Sequence, residues 1–351
     1  MSQEAVDRLY PVNGKVLAPM VRAGTLPLRL QSYLYGADAV YTEEIIDFKM
    51  IKTTRVENGV FVDFIEEGKN KNRAVFKTCG LERDRVVFQV GTSDAVRALK
   101  TAELVQHDVS GFDINMGCPK HFSISGGMGA ALLKKPEVAE DILKTLRRNI
   151  STISISCKIR LLDDDKSTVE LVRRLESAGA MAIGVHCRET HHRPSEPALW
   201  ERLRVATDAV GVPVIANGDL YSVQDHTKFL GMSGARCGMF ARGALKNASV
   251  FRPEGPLKLY DVLKQYVHIC EVVDNPFPNT KYMLMQMLHY NNDKEARGTS
   301  EVIKKNKVEF QEIRQVFGVK PFSNKDTALS WDMIHDEDDD LMPSSKKLRV
   351  N

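Results

Sequence analysis

The sequence predicts an α/β fold: a (β/α)8 TIM barrel followed by a small C-terminal helical domain. Three observations carry that prediction. Short β-branched or apolar runs alternate with longer amphipathic ones, which is the pattern of βα units around a parallel sheet. Eight such units fall between residue 12 and about 250, matching the ~250 residues typical of a closed barrel, whereas a doubly wound sheet more often stops at five or six strands. Beyond about residue 257 the strand pattern ends and only helical periodicity continues.

Strands are expected at Lys15 to Ala18, Ala39 to Thr42, Val86 to Val90, Gly111 to Asn115, Ile153 to Ile159, Ala182 to His186, Val212 to Ala216 and Ala235 to Met239. Helices are expected at Ala95 to Gln106, Pro136 to Ile150, Thr168 to Gly179, Ala198 to Val210 and Val223 to Leu230. Ser93 and Ser167 stand where N-caps belong, and Pro136 suits a first turn. The polar stretch from Val56 to Arg83 lengthens the connection between strands two and three and reads in part as a surface excursion. Past the barrel, Leu257 to Val272, Thr280 to His289 and Ser300 to Phe317 look helical, separated by Asn275-Pro276-Phe277-Pro278 and Asn291-Asn292-Asp293. The expected division is a barrel over residues 1–255, a helical domain over 256–322 and a tail over 323–351. In the tail, Asp336-Glu337-Asp338-Asp339-Asp340 buries too little to fold and is expected to be disordered.

A composition of 43% hydrophobic and 27% charged residues is that of a globular protein and excludes a disordered or fibrous chain. No run of ~18 apolar residues offers a membrane span, and the N-terminal MSQEAVDRLY has no secretory character. A cytoplasmic monomer with free thiols is therefore expected, since the six cysteines include no C-x-x-C pair. The run Lys346-Lys347-Leu348-Arg349 reads as a solvated terminus in preference to a nuclear signal. Residues 326–351 hold seven acids against three bases, so the total of +3 leaves +7 on residues 1–325, a balance that favours a polyanionic partner.

The chemistry concentrates at Asn115-Met116-Gly117-Cys118-Pro119-Lys120, followed by Gly126-Gly127-Met128-Gly129-Ala130-Ala131-Leu132-Leu133. Gly111 to Ile114 reads as a buried strand that Gly117 and Pro119 break, so Cys118 sits on an accessible loop. Barrel sites gather at strand ends. Those ends are Ala18-Pro19-Met20, Gln89, Asn115, Lys158, His186, Asn217-Gly218-Asp219 and Ala241-Arg242-Gly243. The loops after strands seven and eight are the usual phosphate cradle of this fold, and Arg242 adds a forked cation. Gln89 and Asn115 suit the edge of a flat heterocycle, Pro19 and Met20 its face, and Lys158 would stabilise a reduced, anionic ring.

Together these residues resemble the flavin-binding barrel of the tRNA-dihydrouridine synthases. The matching motifs are Leu17-Ala18-Pro19-Met20-Val21, Gln89-Val90-Gly91-Thr92, Asp113 to Lys120, Gly126 to Leu133, Cys157-Lys158-Ile159-Arg160 and Ile215-Ala216-Asn217-Gly218-Asp219, with Asn279-Thr280-Lys281-Tyr282 in the helical domain. The spelling is most similar to the eukaryotic branch that modifies position 20 of tRNA. The resemblance implies that FMN, reduced by NADPH, passes hydride to carbon 6 of a tRNA uracil while Cys118 protonates carbon 5. It implies FMN contacts at Pro19, Met20, Val21, Gln89, Lys158, His186, Asn217, Gly218, Asp219, Ala241 and Arg242, and substrate contacts at Asn115, Lys120, Arg160, Arg188 and Lys281. A thiol with a pKa near ~8.5 remains protonated at neutral pH and can serve as that acid untuned.

Two departures and two rivals accompany the resemblance. Cys187 stands where the family commonly has glycine, which is expected to crowd the turn after His186. The adjacent His191 and His192 are expected to point apart, so no metal is expected. No G-x-G-x-x-G follows a strand, so the reductant would visit the flavin directly. The rival readings are another FMN barrel of the dihydroorotate dehydrogenase type, against which the helical domain speaks, and a non-catalytic RNA-binding protein on the same scaffold.

Overall fold

Strands covered by helices outside and packed side chains inside are apolar on both faces, and such runs pair in parallel. In the computed structural model, which describes residues 3–66, 74–289, 294–305, 308–322 and 329–334, they form β1 (Gly14–Leu17), β2 (Ala39–Tyr41), β3 (Val86–Gly91), β4 (Gly111–Asn115), β5 (Ser154–Arg160), β6 (Ala182–His186), β7 (Val214–Asn217) and β8 (Cys237–Phe240). Each pairs in parallel with the next, and β8 returns to β1, which closes the ring. The expected fold is the observed one. Inside, Val16, Ala39, Val87, Ala182, Ile215 and Met239 pack with Tyr10 and Leu9, which follow and end the N-terminal helix Gln3–Leu9.

The outer helices are α1 (Leu26–Leu34), α2 (Ala95–Val105), α3 (Pro136–Asn149), α4 (Asp165–Ser177), α5 (Leu203–Thr207) and α6 (Val223–Ser233). Pro136 opens α3 as expected. The caps of α2 and α4 differ from expectation. Asp94, not Ser93, accepts from the Arg97 amide at 2.8 Å, and Asp164, not Ser167, accepts from the Ser167 amide at 2.7 Å. In both cases a carboxylate three residues before the bonded amide takes the role that a nearby serine was expected to fill. The expected helix from Ala198 to Val210 is broken into a 3-10 turn, Trp200–Arg202, and the short α5.

The excursion between β2 and β3 is more ordered than expected. Thr53–Glu57, Phe61–Glu66 and Ala74–Cys79 make a three-stranded antiparallel sheet. Phe76 stacks on Phe64 at 5.5 Å and meets Phe88 of β3 edge-on at 5.1 Å, which fastens the sheet to the barrel. Arg29 of α1 reinforces that seam by donating to both Glu82 carboxylate oxygens and to the carbonyls of Gly24 and Lys77.

After the barrel come α7 (Leu259–Val272), α8 (Phe277–His289), α9 (Lys294–Lys304) and α10 (Phe310–Val316). The single helix expected from Ser300 to Phe317 is therefore two. Gln31 of α1 donates to the Val262 carbonyl of α7 at 2.8 Å. Asn279 of α8 donates to the Arg22 carbonyl at 2.7 Å and accepts from Thr25, so the N-T-K-Y motif holds the loop after β1. Part of the expected tail is also ordered: Trp331–Ile334 is helical, Trp331 meets Tyr33 edge-on at 5.1 Å, and His268 bonds the Met333 carbonyl at 2.9 Å. Leu329, Trp331 and Ile334 give that stretch an apolar face that the neighbouring acidic run obscured. The acidic run itself lies outside the described residues.

Candidate active site

Side chains alternate along a strand, so Ser156, Lys158 and Arg160 all leave one face of β5 and climb toward its C-terminal end. Register supplies their neighbours. Ser156 is level with Asp113, which is level with Gln89; Lys158 is level with Asn115; Arg160 is level with His186, and His186 with Asn217. The interior is thus built in three polar steps.

At the lowest step Asp113 is 1% exposed and accepts from Gln89 Nε2 at 2.8 Å and Ser156 Oγ at 2.7 Å. Burial pushes its carboxyl up to about 6 against the pull of those two bonds and of Lys158. At the middle step, burial and the nearby Arg160 bring Lys158 down to about 8, with Asp113 opposing. Lys158 is therefore a titratable ammonium. Asn115 is buried, and its Oδ1 accepts from the amides of Gly117 at 3.0 Å and Cys118 at 3.1 Å. Those bonds set the loop that carries the thiol.

Cys118 is half-buried, while Cys79, Cys157, Cys187, Cys237 and Cys270 are fully buried. Burial pushes the Cys118 thiol up; the Lys120 amide pulls it down and Glu44 raises it further. It is a thiol at neutral pH. Gly129 lies beneath it with φ of 58°, and a Cβ there would come within 2.6 Å of the Cys118 carbonyl oxygen and 2.3 Å of Ser123 Oγ. Only glycine fits that approach, which explains the G-G-M-G run.

The upper step opens into a cleft of about 210 Å³, lined by Arg160, His186, Arg188, Asn217, Gly218, Asp219, Ala241 and Arg242 among others. Arg188, 3% exposed, clasps both Asp219 oxygens at 2.7 and 2.6 Å, and Arg242 pairs with the same carboxylate. Arg160 donates to the carbonyls of Gly117 and Glu189. Two guanidinium groups thus share one carboxylate, Arg160 lines the same cleft, and the surplus positive charge suits a phosphoryl group. Burial, reinforced by Lys158 and the three arginines, holds His186 well below its usual range. Since arginine only donates, the 3.2 Å contact from Arg188 makes His186 Nε2 the acceptor and places the ring proton on Nδ1. Gly218, at φ of 136°, has room for no Cβ, which would lie 2.8 Å from that of Ala198. A cationic cleft, a bare backbone at its wall and a lysine-bearing column beside it fit a phosphorylated, flat cofactor.

The sequence matches the dihydrouridine synthase family (Dus) over residues 16–328. The chain belongs to that family. It is 38% identical over 320 residues to the tRNA-dihydrouridine(20) synthase [NAD(P)+] of Schizosaccharomyces pombe, covering 88% of this chain and 65% of that protein. The Saccharomyces cerevisiae protein of the same name is 38% identical over 297 residues, covering 78% and 76%. The human tRNA-dihydrouridine(20a/20b) synthase [NAD(P)+]-like protein is 31% identical over 278 residues, covering 78% and 81%. The chain thus spans somewhat under two thirds of its fission-yeast relative.

In this dihydrouridine synthase family member the cleft collects His186, Asn217, Gly218, Asp219, Ala241 and Arg242 from the residues expected to bind cofactor, and also Arg160 and Arg188, expected at substrate. Arg188 is turned inward onto Asp219, so it belongs to the cleft wall and not to the outer surface. Gln89 and Lys158 stand in the central column. Pro19 and Met20 are half-buried on the loop after β1, with Val21 45% exposed beyond them. Lys120 is exposed on the rim, whereas the Lys281 ammonium is engaged at 2.6 Å by the Lys305 carbonyl. Cys187 packs in the core with its amide bonded to the Asn217 carbonyl at 2.9 Å. Glu189, His191 and His192 bring one ligand-type atom each within 4.8 Å of one another, and the two rings lie 4.5 Å apart, so the histidines do not point apart as expected. Glu189 is also ion-paired to Arg202, which competes with any cation for that carboxylate. Among the described residues no helix is long and apolar enough to cross a membrane.

The strand-end reading overlooked Glu44 and Ser123. Glu44 lies on the loop after β2, and its Oε1 accepts from Ser123 Oγ at 3.0 Å.

Proposed function

We propose that this protein reduces uridine to 5,6-dihydrouridine in tRNA, at position 20 of the D-loop, as a cytoplasmic monomer that uses FMN and NADPH. The observation that carries the proposal is a half-buried thiol, held protonated on a glycine-supported loop, at the mouth of a barrel whose neighbouring cleft suits phosphate. His186, Asn217, Gly218, Ala241 and Arg242 would hold the phosphate of FMN, with Gln89, Lys158, Pro19 and Met20 toward its ring; Val21 and Asp219 border the same group. When bound, that group supplies hydride to carbon 6 of the base.

The rest falls to the chain. A uracil stacked within folded tRNA has to be drawn out to reach the mouth. Cys118 then donates its proton to carbon 5, and a thiol raised by burial keeps that proton at neutral pH until the base gains electron density. Asn115 holds the two amides that aim the thiol. Lys158, at about 8, offers positive charge beside the reacting ring at neutral pH. Lys120 on the rim, the barrel's other basic residues and the helical domain of residues 256–322, with Lys281 in its first half, supply the surface for the tRNA backbone.

The test is NADPH oxidation by the FMN-loaded protein with unmodified tRNA and, separately, with free dihydroorotate or orotate. Consumption with tRNA and none with the small molecules is expected. Activity on the small molecules alone would replace this reading with the dihydroorotate dehydrogenase type, and binding of tRNA without turnover would replace it with the non-catalytic one.

A further inference from the structure

Among buried carboxyls beside the mouth, Glu44 is set apart by what it lacks. It is 9% exposed on the loop after β2, and its Oε1 is occupied by Ser123 Oγ, but Oε2 has no hydrogen-bond partner among the described residues. An unpartnered buried carboxyl oxygen is costly unless it is protonated or serves a neighbour. The neighbours that face it are the Cys118 thiol, the Asn115 amide and Ser123. The backbone fixes this grouping: Gly91 lies where a Cβ would come within 2.6 Å of Glu44 Oε1, and Gly129 lies where one would meet both Ser123 Oγ and Cys118 Cβ.

We propose that Glu44 is the positioning residue that keeps the Cys118 sulfur protonated before each turnover and returns a proton to it afterward. The proposal rests on the reading of Cys118 as the acid. In the forward step the S–H bond breaks as the carbon 5–H bond forms, leaving a thiolate; the hydride at carbon 6 comes ultimately from NADPH. A solvent proton then adds to the Glu44 carboxylate, and that O–H bond breaks as S–H re-forms, which restores the carboxylate. Two conditions favour this order. Burial raises the Glu44 carboxyl, so a protonated form is accessible, although the contacts with Ser123, Cys118 and Asn115 pull the other way. Glu44 in turn raises the thiol, while Lys158 and Arg160 on β5 are cations whose charge is coupled to the sulfur.

Glu44→Gln keeps the shape and removes the charge, and Glu44→Asp keeps the charge. Iodoacetamide labelling of Cys118, followed by peptide mass spectrometry across pH 6 to 10, reads the thiolate fraction without any turnover, with Cys118→Ala as the blank. Glu44→Gln is expected to label about tenfold faster near pH 7.5, and Glu44→Asp close to the parent. In turnover, Glu44→Gln is expected to form one dihydrouridine per enzyme at the parental rate and to slow about tenfold thereafter. Unchanged labelling, or a slow first turnover with normal later ones, would overturn the role of Glu44 while leaving the function intact. A parent that forms no dihydrouridine would instead remove the functional reading beneath it. Flavin absorbance and thermal melting of each variant separate these results from a failure to fold.

Discussion

Replacing Arg29 by Met should unfasten the antiparallel sheet from the barrel. Arg29 and Glu82 are 2% and 0% exposed, so neither charge has water to fall back on. The guanidinium makes four bonds: two to the Glu82 carboxylate at 2.9 and 2.7 Å, and one each at 2.7 Å to the carbonyls of Gly24 and Lys77. Arg29→Met strands a buried carboxylate that, among the described residues, keeps only Thr78 as a side-chain partner, and it leaves two carbonyls short of a donor. Breaking one side of such a pair costs about 3–5 kcal/mol, a large share of the ~5–15 kcal/mol that holds a typical domain. Replacing both charges by apolar groups removes the stranded carboxylate, so Arg29→Met with Glu82→Leu should recover most of the loss. Urea denaturation of the parent, both single variants and the double variant provides the cycle. A loss below about 1 kcal/mol in Arg29→Met, or simple additivity in the double variant, would refute this account of the seam.

Three further outcomes are expected. Gly218→Ala forces a side chain into a φ of 136° and against Ala198; it should cost about 1–3 kcal/mol and weaken FMN binding in a fluorescence titration. Lys158 titrates near 8 in the folded chain, below its unfolded value of 10.5. Its charge is therefore a penalty on folding that is full below pH 8 and relieved as pH rises toward 10.5, on the order of 3 kcal/mol; the parent should gain stability over that window relative to Lys158→Met. FMN affinity should fall over the same window in the parent and stay low and flat in Lys158→Met. Asn279→Ala frees the loop after β1 from α8, and limited proteolysis near Arg22 should quicken while the barrel's circular dichroism is unchanged.

The barrel was legible because its strands are buried on both faces and its helices are amphipathic, so the two periods alternate without ambiguity. Cys118 was legible for a different reason: glycine and proline end β4 where they must, and only a loop follows. The antiparallel sheet was hidden because its strands are short, charged and half-exposed, and the contacts of Phe76 with Phe64 and with Phe88 of the barrel appear only once the chain is folded. Arg188 was misplaced because a basic residue on a loop looks like surface until Asp219, 31 positions later, is brought against it. Glu44 escaped because Ser123, 79 positions later, and Cys118 come to it only in the fold.

The most direct test is to incubate unmodified tRNA with the FMN-loaded protein and NADPH and to locate dihydrouridine by sequencing and mass spectrometry, beside Cys118→Ala. The account predicts one dihydrouridine at position 20 with the parent and essentially none with the variant. Equal product from both, or modification confined to another position, would contradict it.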